Sequence, residues 1–135
     1  YYESGKGMEK NTIENHEETK EYSGELRELQ QDKLTWQNVF AAYFNNDLLA
    51  KKVIEASIQF WGMAAANLVS LFNPEKILFG GGVFGPAVSL IPLIKQEAIK
   101  WAQPISIQQV SFEPSALKND AGLYGAAYLA LKTIA

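Results

Sequence analysis

A chain of 135 residues, 47% apolar and 20% charged, is the size of one domain and long enough to bury a core. Its net charge of −3, with lysines and arginines scattered along the chain, excludes the basic footprint of a nucleic-acid binder. No cysteine and a single histidine exclude a disulfide framework and a zinc centre built from this chain alone.

Absence of cysteine suits the cytoplasm. No signal peptide opens the sequence, and its most apolar run, residues 60–72, is interrupted by Asn67 and Ser70 and too short to span a bilayer. The first residues are Tyr1 and Tyr2 rather than Met, as in a piece of a longer protein.

Residues 1–10 read as a turn and a short helix. Gly5-Lys6-Gly7 lacks the spacing and the Ser or Thr of a phosphate-binding P-loop. Residues 12–28 hold Glu14, Glu17, Glu18, Glu21, Glu25 and Glu28 and read as a solvated helix and loop, with His16 at the surface. Residues 1–33 therefore form a polar region and 34–135 the α/β core.

Thr35 is placed to cap a helix through Tyr43 or Phe44, with Trp36, Val39, Phe40 and Tyr43 on one face. Asp47 caps the next helix, residues 48–72, whose apolar stripe is Ile54, Ile58, Trp61, Ala65, Leu68 and Phe72. Its second half is apolar nearly all round, which predicts burial on more than one side. Gly62 inside it costs about 1 kcal/mol against alanine, acceptable where another backbone passes close. Asn73 precedes Pro74, and that ends the helix.

Residues 76–79, Lys-Ile-Leu-Phe, form a short run bounded by turn signals, as a buried parallel strand does. Gly80, Gly81 and Gly82 follow, free to take φ > 0 and to approach a ligand closely. The N–H groups of a following helix would point back at that turn. The spacing predicts this helix over residues 89–102, with Pro92 in its first turn and Ile91, Ile94, Ala98 and Trp101 buried. A second strand is predicted at residues 105–112 and a loop at 113–119. A last helix follows over 120–133, where Gly122, Gly125, Ala126 and Leu129 form a close-packing face.

Helix–strand–helix–strand–helix is half of an α/β architecture with a right-handed crossover between parallel strands. Two strands leave open edges, so preceding sequence or another chain completes the sheet.

Three readings of the glycine turn stand side by side. Gly80, Gly82 and Gly85 match the GxGxxG dinucleotide fingerprint, with Glu113 after the next strand as the ribose acid, but too little chain follows for further β–α units. The turn could instead contact the phosphate or adenosine of a mononucleotide, or merely let helix and strand pack closely.

Three separate motifs carry a resemblance: residues 66–69 (ANLV), 72–83 (FNPEKILFGGGV) and 120–127 (DAGLYGAA). In order and spacing they resemble the C-terminal part of the ROK family of repressors, open reading frames and sugar kinases, from Leu34 onward. Tyr2-Glu3-Ser4-Gly5 also looks like the Y-x-S-G that follows the family's zinc-binding cysteines.

The resemblance implies a helix-rich α/β fold, the C-terminal half of an actin-like (ribonuclease H-like) ATPase domain with at least two parallel strands and an incomplete sheet. It implies that Gly80, Gly81 and Gly82 lie beside ATP, with Val83 and Phe84 near the nucleotide. It places the catalytic aspartate, the phosphate loop, the sugar-binding glutamate and histidine, and the zinc cysteines upstream of Tyr1. No catalytic or metal-binding residue falls within this chain.

The activity implied is phosphoryl transfer from ATP, with Mg²⁺, to a sugar hydroxyl. The rival is the effector domain of a sugar-responsive repressor, in which nucleic acid is bound by a separate segment. The partners implied are sugar and ATP, with a second copy or the preceding half covering the open sheet edge, and no membrane.

Overall fold

The computed structural model describes residues 4–18, 24, 26, 34–117 and 120–134. Helix α1, Gly5–Glu18, starts where the Ser4 hydroxyl accepts the Gly7 N–H at 3.1 Å. Met8, Thr12 and Leu26 are buried, and the Thr12 hydroxyl is satisfied by donating to the Met8 carbonyl at 2.7 Å. The region expected to be solvated therefore lends side chains to the core, because α1 packs on the next two helices. The surface placements expected for the side chains of His16, Glu17, Glu18, Glu21, Glu25 and Glu28 lie outside the described residues.

Helix α2, Trp36–Phe44, has the expected Thr35 cap, strengthened into a capping box with Asn38. Val39 and Phe40 are buried, with Trp36 and Tyr43 half-buried beside them. Helix α3, Leu48–Phe72, begins where Asp47 accepts the Ala50 N–H at 2.9 Å. It ends at Asn73, which takes the left-handed conformation (φ 42°) that asparagine tolerates before Pro74.

Strand β1, Lys76–Phe79, pairs in parallel with β2, Ser111–Pro114, from Lys76 opposite Ser111 to Phe79 opposite Pro114. Adjacent parallel strands are as expected, but the predicted strand over residues 105–112 is corrected. Residues Pro104–Gln109 are a short helix, α5, and the strand starts later. Pro104 pre-sets the first helical position, and only Ile107 of that turn needs burial while Ile105 faces solvent.

The predicted helix over residues 89–102 is shorter too. Prolines 86 and 92 remove backbone donors, so two 3₁₀ turns, Gly82–Phe84 and Pro86–Leu90, precede α4, Ile91–Ile99. Two clusters make the core: one joins α1, α2, α3 and the second 3₁₀ turn, the other joins the later turns of α3 to α4, α5 and Val110.

Parallel sheets are ordinarily covered on both faces. Here Ile77, Phe79 and Phe112 pack on the helices, while Leu78, on the other face, is 61% exposed. The last helix, α6 (Ala121–Ile134), does not cover it. Leu123, Tyr124, Tyr128, Leu129 and Leu131 are 59–71% exposed, and Cβ atoms on Gly122 or Gly125 would meet nothing within 4 Å. The expected packing of this helix on the sheet, and of its small-residue face on a neighbouring backbone, is therefore overturned. An apolar period in sequence fixes which face needs cover, not what supplies it. The same holds for the end of α3, where Leu68 and Phe72 of the expected stripe are exposed.

Gly62 faces α4 at close range: a Cβ there would lie 2.6 Å from Glu97 Cγ and 3.0 Å from the Ala98 backbone nitrogen. Helix propensity favours Gly62→Ala by about 1 kcal/mol, but the overpacking costs about 1–3 kcal/mol and α4 must move. We expect Gly62→Ala to lower the thermal midpoint; an unchanged or higher midpoint would show that α4 yields freely.

Candidate functional site

The site is the turn that joins β1 to the first 3₁₀ turn. The Phe79 carbonyl accepts the Ser115 N–H at 2.7 Å, which carries the strand pairing one residue past Pro114. Gly80 closes against that neighbour, since a Cβ would stand 3.1 Å from Ser115 Cβ. Gly81 has φ 88° and ψ 174°, a region of backbone space open essentially to glycine alone. Beyond it the Phe84 N–H donates to Gly81 O at 3.1 Å and the Gly85 N–H to Gly82 O at 3.3 Å.

These three glycines serve different ends. Around an added Cβ at Gly81 or Gly82 there is no heavy atom within 4 Å, so neither is small in order to pack against this chain. Gly81 is explained by its dihedrals; Gly82 is explained by nothing among the described residues. Val83 and Phe84 are half-buried against the core. Phe84 also lines a groove of about 530 Å³ with Phe79, Gly85, Val88, Pro114 and Ser115.

Two 3₁₀ turns, not an α-helix N-terminus, follow the glycines directly, and α4 begins at Ile91, close to the expected residue 89. That removes the main support for the dinucleotide fingerprint, whose pyrophosphate sits on a helix N-terminus. Glu113, its proposed ribose acid, is held elsewhere: Lys76 Nζ lies 2.8 Å from it. Hydrogen bonds from Lys76 first and Ser111 second hold the Glu113 carboxyl below the ordinary carboxylate range. Among the described residues no group of three or more His, Cys, Asp or Glu side chains could hold a metal.

The sequence singles out Gly80, Gly81 and Gly82 but not Pro114 and Ser115, which the structure places beside the turn. The signal was available in the topology, because the loops after two adjacent parallel strands emerge at the same edge of the sheet.

A glycine turn and a second loop meeting at the carboxyl ends of adjacent parallel strands define an α/β protein, a class in which strand ends are the usual place for a ligand. The chain belongs to the ROK family, whose profile matches residues 1–133. It is 38% identical over 96 residues to a glucokinase of Halalkalibacterium halodurans, covering 71% of this chain and 29% of that protein. It is 35% identical over 94 residues to the DNA-binding transcriptional repressor Mlc of Escherichia coli, covering 70% of this chain and 23% of Mlc.

Two crystal structures share the fold. A candidate sugar kinase from Cytophaga hutchinsonii superposes with a TM-score of 0.80 over 94% of this chain and 42% of its own, at 23% identity. A ROK family transcriptional regulator homologous to Mlc superposes with a TM-score of 0.70 over 82% of this chain and 27% of its own, at 25% identity. The chain thus spans less than a third of the length of these two curated relatives, and the family includes kinases and repressors alike.

The geometry separates two glycine variants by stability alone. Gly81→Ala forces a side chain into a glycine-only conformation and is expected to cost about 1–3 kcal/mol. Gly82→Ala meets open space and is expected to stay within about 0.5 kcal/mol of the parent. Thermal melts of the two variants check this, and equal losses would contradict it.

Proposed function

We propose that this chain is the C-terminal part of an ATP-dependent sugar kinase and that its glycine turn forms one wall of the nucleotide cleft. The observation that supports the reading is the open face over Gly81 and Gly82. The lack of a side chain at Gly82 has no partner among the described residues, and a ligand approaching the main chain supplies one. The adjoining groove, walled by Phe79, Phe84 and Pro114, suits the apolar body of a nucleoside.

Gly80, Gly81 and Gly82 would lie against the nucleotide, with Phe84 at the groove beside it and Val83 bracing the turn from the core. In the reaction the oxygen of a sugar hydroxyl attacks the γ-phosphorus of ATP, accompanied by Mg²⁺. The bond to the bridging oxygen breaks, ADP departs, and the hydroxyl proton passes to a base. That base, the sugar-holding groups and the family's zinc cysteines belong to sequence before Tyr1. This chain positions the nucleotide and does not move the proton. No described helix is long and apolar enough to cross a membrane, and we place the enzyme in the cytoplasm.

A second reading, the sugar-binding effector domain of a repressor, is favoured by the likeness to Mlc and to the Mlc-like regulator. The two readings part at ATP. In the kinase reading the complete protein releases ADP only when a sugar such as glucose is present. Gly82→Val, whose side chain enters the ligand's space, weakens ATP binding about 5- to 150-fold, as 1–3 kcal/mol converts. Its melting temperature without ligand stays near the parent's. Calorimetry with ATP and a coupled ADP assay across several hexoses decide it. Sugar binding without ATP affinity or turnover would transfer the assignment to the repressor.

The isolated 135-residue chain is expected to phosphorylate nothing. It is also expected to self-associate in light scattering, since Leu78 and the apolar face of α6 then lack their cover. Sugar-dependent turnover by this chain alone would refute the placement of the base, and a monodisperse monomer would refute the need for cover.

A further inference from the structure

Residues 80–82 carry no side chains, and glycine loses more freedom on ordering than any other residue. Open space around Gly81 and Gly82 means that no side chain among the described residues packs on the tip of the turn. The tip is held only by the Phe84 and Gly85 N–H groups donating to the Gly81 and Gly82 carbonyls. Side-chain packing can order the turn only at its two ends.

Those ends are aromatic. Phe79 enters the turn and Phe84 leaves it, and their rings meet with centroids 5.1 Å apart at 51°. The turn is therefore closed at its neck by its own flanking side chains. The Trp61 ring meets Phe84 as well, 5.1 Å away at 50°. Trp61 stands on α3 immediately before Gly62, where α4 packs too close to admit a Cβ. Phe112 of β2 braces Phe79 at 5.4 Å.

We propose that Trp61 is a positioning residue, which acts through Phe84 to hold the glycine turn in the conformation that meets its ligand. The inference rests on the nucleotide reading of that turn. Trp61 is not in the groove lining; its ring stands one layer behind Phe84, which is. Such ring pairs contribute enough to change an opening equilibrium roughly twofold to tenfold.

The test uses the complete protein with three variants. Trp61→Leu removes the ring and keeps apolar bulk, Trp61→Phe restores a ring, and Val69→Ala opens a cavity in the other core cluster. Hydrogen exchange is read at the Phe84 and Gly85 amides, which donate to Gly81 and Gly82. ATP affinity is read by calorimetry.

Trp61→Leu is expected to speed exchange at those two amides and to weaken ATP binding, each by roughly twofold to tenfold. Trp61→Phe is expected to recover most of both. Val69→Ala is expected to melt earlier while leaving both near the parent values. Exchange at these amides no faster in Trp61→Leu than in Val69→Ala would overturn the proposal. So would faster exchange with ATP affinity unchanged. Faster exchange in a protein that binds no ATP even as wild type would uphold Trp61 as the brace of the turn and remove the nucleotide reading alone.

Discussion

The structure depends on one close approach. At Gly62 the missing Cβ lets α4 lie against α3 until the Ala98 backbone is within contact of the space a side chain would fill. That contact seats Ala65, Ala66 and Val69 against Ala98 and Ala102, and it gives β1 and β2 a single apolar platform through Ile77 and Phe112. One residue earlier on the same helix, Trp61 reaches the ring of Phe84. Packing of the core and closure of the glycine turn therefore share one stretch of helix.

The sheet that results is one-sided. Its inner face is filled, while its outer face shows Leu78 and the exposed Lys76–Glu113 pair. An exposed ion pair contributes little to stability, and it leaves the apolar edge beside it bare. The apolar α6, exposed along its length, poses the same question. Both features leave apolar surface without cover among the described residues of a chain that spans less than a third of those relatives' length.

Much of this was legible in the sequence where local chemistry decides. Thr35 and Asp47 cap their helices as their hydroxyl and carboxylate predict, and Asn73 before Pro74 stops α3. The three glycines after a four-residue strand were legible for the same reason. Legibility failed where two local signals competed or the partner was distant. Isoleucines 105 and 107 argue for a strand, but Pro104 sets a helical start and only one of the two is buried. Pro86 starts a 3₁₀ turn ahead of the predicted helix and Pro92 sits in the first turn of α4, so 3₁₀ turns rather than a helix terminus follow the glycines. Ser115 joins the site only through strand pairing, and Met8 and Thr12 join the core only through packing of α1, neither of which a period in sequence reveals.

On the nucleotide reading Gly82 is bare because ATP lies against the main chain there, beside Gly81 in its glycine-only conformation. The most direct measurement is an ATP titration of the ¹⁵N-labelled complete protein, following the backbone amide signals of Gly81, Gly82 and Phe84. With ATP on the turn, these signals shift in a saturable manner at the same ATP concentrations that saturate binding. Binding of ATP that leaves all three in place while moving signals elsewhere would contradict it, and would make the glycines a turn of the fold alone.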